Sequence, residues 1–216
     1  MVREGEAHRR YLAVYDRVVR FPGGREVAWD VVGHPPSFAY AAVLPFHSGG
    51  AGGEVTLVRE WAQGPNRWVF GLPTGCFDGQ RHASLEACAR AELSEEAHLR
   101  GGSWYALLPP EHPGLAEVKW GLNKMHPFLV VDPERDPNPA PRDPEEALLE
   151  TERVSVARLQ ELVLGGEMLM PSVSAALHAL HRAQPVERFS HVTQHPVAGS
   201  AVRLAAEHAT GGPYGI

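Results

Sequence analysis

Glu92, Glu95 and Glu96 fall within one short stretch, Leu85 to Leu99 (LEACARAELSEEAHL), just after a turn that carries glycine. Residues three and four apart on a helix share a face, so these carboxylates gather within about one turn. Like charges that close repel, and an ordinary surface helix offsets them with lysines; this segment has none. Clustered carboxylate oxygens suit a hard divalent cation such as magnesium, which is bound through one or two carboxylates plus water. A solvated acidic face is the competing reading of the same residues.

A helix is expected over this stretch, with Ser84 as its N-cap and no proline until Pro109. Leu85, Ala89, Leu93 and Ala97 recur at every fourth position and mark the side that packs on a core. The chain before it reads as strands. Leu12, Val14, Val18 and Val19 lead to the turn FPGGRE; VAWDVV alternates up to GHPPS, and FAYAAVLPF has the apolar run of a buried strand. EVTLVREW and RWVFGLPTG follow as further strands. After the helix come a strand and loop at SWYALLPPEHPG, a buried strand at HPFLVVD, and a loop rich in proline and charge at DPERDPNPAPRDPEE. ERVSVARLQELVLGGE reads as a strand end entering a helix, and PSVSAALHALHRA as a helix begun by proline in its first turn. Alternating strands and helices give an α/β class, with helices on both faces of a mixed sheet. Boundaries are expected at residues 1–45 for a β-rich N-terminal subdomain, 46–183 for the main domain and 184–216 for a C-terminal appendage.

Composition removes several classes of function. The chain has 216 residues, 44% hydrophobic and 21% charged, as in ordinary globular proteins. A net charge of −6 provides no basic field for nucleic acid or an anionic membrane surface. Cys76 and Cys88 are the only cysteines, too few for a disulfide framework, and they do not form a C-x-x-C pair. No apolar run has the length of a membrane span and the start lacks a signal-peptide pattern, so a soluble protein of the cytoplasm or an organelle is expected.

The string GLPTG, a loop, and ARAELSEE resemble the signature of Nudix hydrolases. Gly75 stands at the opening glycine of that signature, Glu92 at the glutamate of its arginine–glutamate pair, Leu93 at the aliphatic that follows, and Glu95 and Glu96 at the final acidic pair. YLAVYDRVVRFPGG, TLVREW and LPTG are similar to the front of the ADP-ribose and ADP-sugar pyrophosphatase branch, and GEMLMPSVSAALHAL to its last helix. The resemblance runs from about Tyr11 to Arg182. It departs at Ala91, where the family has arginine; at Arg90, one residue early; at His98, where the family has glycine; and in the loop Cys76 to Ala83, about two residues long for the pattern.

The resemblance implies an α/β/α sandwich and a hydrolase that splits the diphosphate of a nucleoside diphosphate linked to a sugar, ADP-ribose or an ADP-sugar above all. It implies magnesium, or manganese, held by Glu92, Glu95 and Glu96, with Glu96 also catalytic. A proton acceptor is expected from the loop DPEEALLE, at Glu145 or Glu146, with Glu150 behind them. Arg59 and Trp61 are expected to meet the nucleotide, and Gly75 and Glu117 the substrate. Lys119 and Lys124 are candidate phosphate contacts or plain surface lysines. The branch also implies a homodimer built through the N-terminal strands. An alternative from another class is a Nudix-like nucleotide-binding or regulatory module that has lost turnover, which Ala91, His98 and the long loop favour.

Overall fold

The computed structural model describes residues 1–35, 37–49, 52–142 and 148–183. The strands are β1 (Arg3–Arg9), β2 (Ala13–Arg20), β3 (Glu26–Gly33), β4 (Ala39–His47), β5 (Glu54–Ala62), β6 (Arg67–Gly71), β7 (Thr74–Cys76), β8 (Leu99–Arg100), β9 (Ser103–Ala106), β10 (Leu115–Ala116), β11 (Lys124–Val131), β12 (Glu134–Arg135) and β13 (Glu150–Ser155). The helices are α1 (Leu85–Ala97), α2 (Val156–Leu164) and α3 (Met170–Ala183), and Met1–Ala183 form one compact unit. No helix among the described residues is long and apolar enough to cross a membrane.

β1, β2 and β3 form an antiparallel sheet of their own. The main sheet runs β10-β11-β4-β5-β13, with β6 on β5, β7 on β4 and β9 on β11. The change from one sheet to the other comes between Gly33 and Ala39, and β4 runs through residue 45. β4 and β11 pair in parallel, and every other pair in this sheet is antiparallel. The expected α/β class with helices on both faces of a mixed sheet is the one observed.

Side chains of a strand alternate between faces, which sorts the core into two layers. Ala41 and Val43 of β4 and Phe128 and Val130 of β11 pack with Cys88, Ala89, Leu93 and Ala97 of α1. Tyr40, Ala42, Leu44, Met125 and Leu129 face the other way, onto Leu159 and Leu162 of α2 and Ala175, Ala176 and Ala179 of α3.

β4 changes partner along its length. At one end Tyr40–Ala42 pair with Cys76–Thr74 of β7; at the other Phe46 and His47 pair with Val55 and Glu54 of β5. In between, Val43 N–H donates to Pro73 O, so the β6–β7 turn fills the fork that opens as β5 leaves β4.

The acidic helix begins and ends as its residues direct. The Ser84 hydroxyl accepts from Ala87 N–H at 3.1 Å, satisfying a donor that the first turn leaves open. His98 closes the helix at φ +55°, in the left-handed region that a side chain disfavours, its N–H donating back to Leu93 and Ser94 carbonyls. A glycine would adopt this conformation without that penalty. His98→Gly is therefore expected to stabilise the protein by about 0.5–1 kcal/mol in chemical denaturation, and a loss of stability would show that the imidazole outweighs its own strain.

Candidate functional site

α1 lies beside the β6–β7 turn, and its carboxylates meet that turn's backbone. Glu96, 5% exposed, accepts from Thr74 N–H at 3.0 Å. Glu92, one turn earlier, lies so close to Gly75 that a Cβ there would overlap its carboxylate. Glycine at position 75 is thus required by approach and not by backbone angle, since its φ is not positive. Glu95 is partly exposed beside them.

The helix end carrying these residues is fixed by Arg142. Its Nη2 donates to Glu96 O at 2.7 Å, its Nε to Glu95 O at 3.3 Å and its Nη1 to Leu149 O at 2.6 Å. A cation on the last carbonyls of a helix also suits the negative end of the helix dipole. Arg142 was not singled out from the sequence, where it is one arginine in a proline-rich loop. Arg90, expected one residue out of phase, is engaged elsewhere: it donates to Glu86 at 2.7 and 3.0 Å and lies 4.3 Å over the Trp104 ring. Asp78 builds the preceding loop, its carboxylate accepting from Gln80 N–H at 2.8 Å.

Glu117 arrives from the far side of β7. Tyr40, the cross-strand neighbour of Cys76, donates its hydroxyl to Glu117 Oε1 at 2.6 Å. Burial first, and then the negative charges of Glu92 and Glu117, push the Cys76 thiol up. Cys88 lies behind β7, its Sγ donating to Gly75 O at 3.5 Å, and is pushed up to about 12 mainly by burial. Both thiols are held protonated.

Arg59 and Trp61 are not gathered with these groups. They follow Val55 and Leu57 along β5, on the face that packs against α2 and α3. Arg59 lies 5.0 Å over the Trp68 ring and 6.0 Å over the Phe70 ring, and pairs with Glu150 at 3.4 Å; Trp61 meets the edge of Trp68 at 6.0 Å. That pair occupies the carboxylate of Glu150. Glu145 and Glu146 lie outside the described residues. Lys119 is drawn over Trp29, 4.9 Å from the ring centre, and Lys124 belongs to β11.

Glu60 is the carboxylate that sequence reasoning missed. On β5 it shares the side of Val58 that faces away from Leu57, and a Cβ on Gly71 would stand 3.8 Å from its Oε1. Burial alone raises its pKa above 4.5, with no cation to offset the cost. A charged residue amid the apolar letters of TLVREW was the available signal.

The donors suit a hard divalent cation: Glu92 and Glu96 present oxygen only, and the hollow at Gly75 admits the Glu92 carboxylate against the backbone. Among the described residues no group of three or more His, Cys, Asp or Glu stands close enough to cage a metal. Magnesium commonly keeps several waters and takes one or two carboxylates.

No protein-family model matches the chain, and no curated protein sequence matches it. Among solved structures, a crystal structure of an ADP compounds hydrolase superposes with a TM-score of 0.61 at 18% identity, the match covering 88% of this chain and 94% of that one. At this identity the likeness is one of fold.

The position of Glu60 generates a test in pH. Because its folded pKa is raised, the folded state binds more protons than the unfolded state, and stability falls as pH rises from the unfolded value of 4.5 through the folded one. Glu60→Gln removes this cost. Its melting temperature is expected to exceed that of the wild type at pH 7, with the gap closing below pH 4.5, as scanning calorimetry across pH would register.

Proposed function

We propose that this chain is a Nudix-type hydrolase that cleaves the diphosphate of a nucleoside diphosphate linked to a sugar, ADP-ribose or an ADP-sugar being the preferred class. The observation that carries the reading is the meeting of Glu92 and Glu96 with the backbone of Gly75 and Thr74 at the fork of the sheet. The likeness in fold to an ADP compounds hydrolase supports it.

In this reading Glu92 and Glu96 hold magnesium, with Glu95 beside them. The bound ion would neutralise diphosphate charge and lower the pKa of a bound water. Thr74 N–H fixes one oxygen of Glu96, so that carboxylate keeps its orientation while its neighbour works. Glu145 or Glu146 takes the proton of the attacking water. The water oxygen joins one phosphorus as the bridging P–O bond breaks, giving a nucleoside monophosphate and a sugar phosphate. Trp61, 39% exposed, offers a face on which a base can stack, and Arg59 braces that surface through Trp68 and Phe70.

A second reading, a binding module without turnover, has one observation in its favour: Arg90 is committed to Glu86 and Trp104, leaving no arginine of the signature beside the glutamates. The homodimer belongs to the same proposal. Trp29 and Trp120, 43% and 59% exposed on β3 and the loop beside it, supply apolar surface for it, and a clean monomer in sedimentation would remove it.

The deciding assay is release of nucleoside monophosphate from ADP-ribose and a panel of nucleotide sugars with magnesium. Glu96→Gln is expected to lower kcat by about 100-fold or more, and chelation to abolish turnover. Gly75→Ala, which forces Glu92 aside, is expected to cost comparable activity but less than about 1 kcal/mol of stability, because only the end of a flexible side chain must move. Nucleotide-dependent thermal stabilisation with no turnover on any substrate would select the binding module instead.

A further inference from the structure

We propose that the cleft between the second half of α3 and the end of β9 is a binding site for a small amphipathic anion, an organic phosphate or carboxylate with a compact apolar body. The main sheet receives α1 on one face and α3 on the other, so this cleft is separate from the acidic helix, and the inference does not rest on the hydrolase reading.

α3 sorts its residues by spacing. Ala175, Ala176 and Ala179 are fully buried in the core layer on that face of the sheet. Beside them runs a second stripe, Leu177, His178, His181 and Arg182, in which each residue has a partner one turn away. Leu177 is 57% exposed, an apolar side chain left among basic ones. Opposite the stripe, β9 ends at Ala106, and Leu107 N–H donates to Pro127 O at 3.0 Å, which ties that end to β11. Ala106, Leu107, Leu177, His178, His181 and Arg182 line a cleft of about 550 Å³, within the usual range of small-molecule sites.

The charge of this cleft runs against that of the chain. Net charge is −6, yet among the described residues that line the cleft none is acidic. Cations at the last turn of a helix ordinarily answer its dipole. Arg182 turns sideways as well, its Cζ 5.5 Å from the centre of the Tyr105 ring, and a guanidinium on an aromatic face keeps N–H donors for an anion. Tyr105 pairs with Leu129 and so shares the α3 face. His178 Nδ1 stands 2.8 Å from Ser174 O, and because a carbonyl only accepts, that nitrogen carries the hydrogen and the ring is fixed with Nε2 as its other polar atom. A bare inorganic ion would leave Leu107 and Leu177 in water, and a neutral apolar molecule would leave the guanidinium without an anion. A molecule with both parts satisfies both.

Titration of the full chain with phenylphosphonate and with benzoate, in chelator and free of divalent cations, tests this by calorimetry and by amide shifts in nuclear magnetic resonance. At least one of the two is expected to bind saturably with a Kd of about 0.1–1 mM, its shifts centred on Ala106, Leu107 and Leu177. Inorganic phosphate and benzyl alcohol, each half of the probe, are expected to bind at least about tenfold more weakly. Arg182→Gln and Leu177→Asp are each expected to weaken the probe about tenfold, and both side chains are exposed, so the fold is expected to hold. No saturable binding, equal affinity for either half, or an affinity that neither variant moves would overturn the inference. Vesicles of phosphatidylglycerol are expected to leave the protein in the supernatant on sedimentation; capture that depends on Arg182 would replace the small-molecule site with a membrane surface. None of these readouts involves turnover, so the hydrolase reading stands or falls separately.

Discussion

Strand β4 cannot keep one neighbour along its whole edge, and the site is built in the resulting gap. Hydrogen-bond directions alternate along a strand, so Pro45 shares with Val43 the side that faces the fork. Proline has no N–H to give there. The missing donor falls between the segment paired with β7 and the segment paired with β5. Pro73 enters the gap as an acceptor for Val43, and Thr74 and Gly75 follow into β7 with their backbone turned to the acidic helix. The helix cannot shift to relieve its carboxylates, because Cys88, Ala89, Leu93 and Ala97 are packed into the sheet below. Its own core contacts hold the negative charges at the fork.

Several ties then converge on that helix. Arg142 binds carbonyls of Glu95, Glu96 and Leu149; Ser94 donates to Asp136 at 2.7 Å; and Asp136 N–H donates to His98 O at 2.9 Å. These contacts hold the C-terminal end of the helix from the loop that follows β12. The side chain at Arg90 is released to lie over Trp104 and stiffen the opposite flank.

Much of this was legible in the residues. The stripe Leu85, Ala89, Leu93 and Ala97 is periodic and the cap at Ser84 is local, so the start and core side of the helix are legible, whereas its end is not: the expected stretch reaches Leu99, but His98 turns left-handed after Ala97 and Leu99 enters β8. β1 was not, because REGEAHR is exposed at every position and has no apolar alternation; it is held by pairing with β2. The site divides in the same way. Glu92 and Glu96 declare themselves by spacing, whereas Tyr40 and Glu117 meet across 77 positions and no local pattern announces it. Arg59 and Trp61 were readable as an arginine and an aromatic on a strand, but their face depends on which side of the sheet receives α1, and Glu60 was overlooked for the same reason.

The prolines of the two central strands have a consequence for how the chain finds its pairing. Pro127 of β11 sits between the residues bound to β10 and those bound to β9, offering only its carbonyl, to Leu107 N–H at 3.0 Å. Sliding β9 by two residues would preserve the inside–outside pattern of its side chains, so hydrophobic matching alone does not forbid the slip. Whichever β9 carbonyl meets Pro127 finds no donor there. Pro127 and Pro45 thus leave each outer edge of the parallel pair one donor short, at the points where its partner changes.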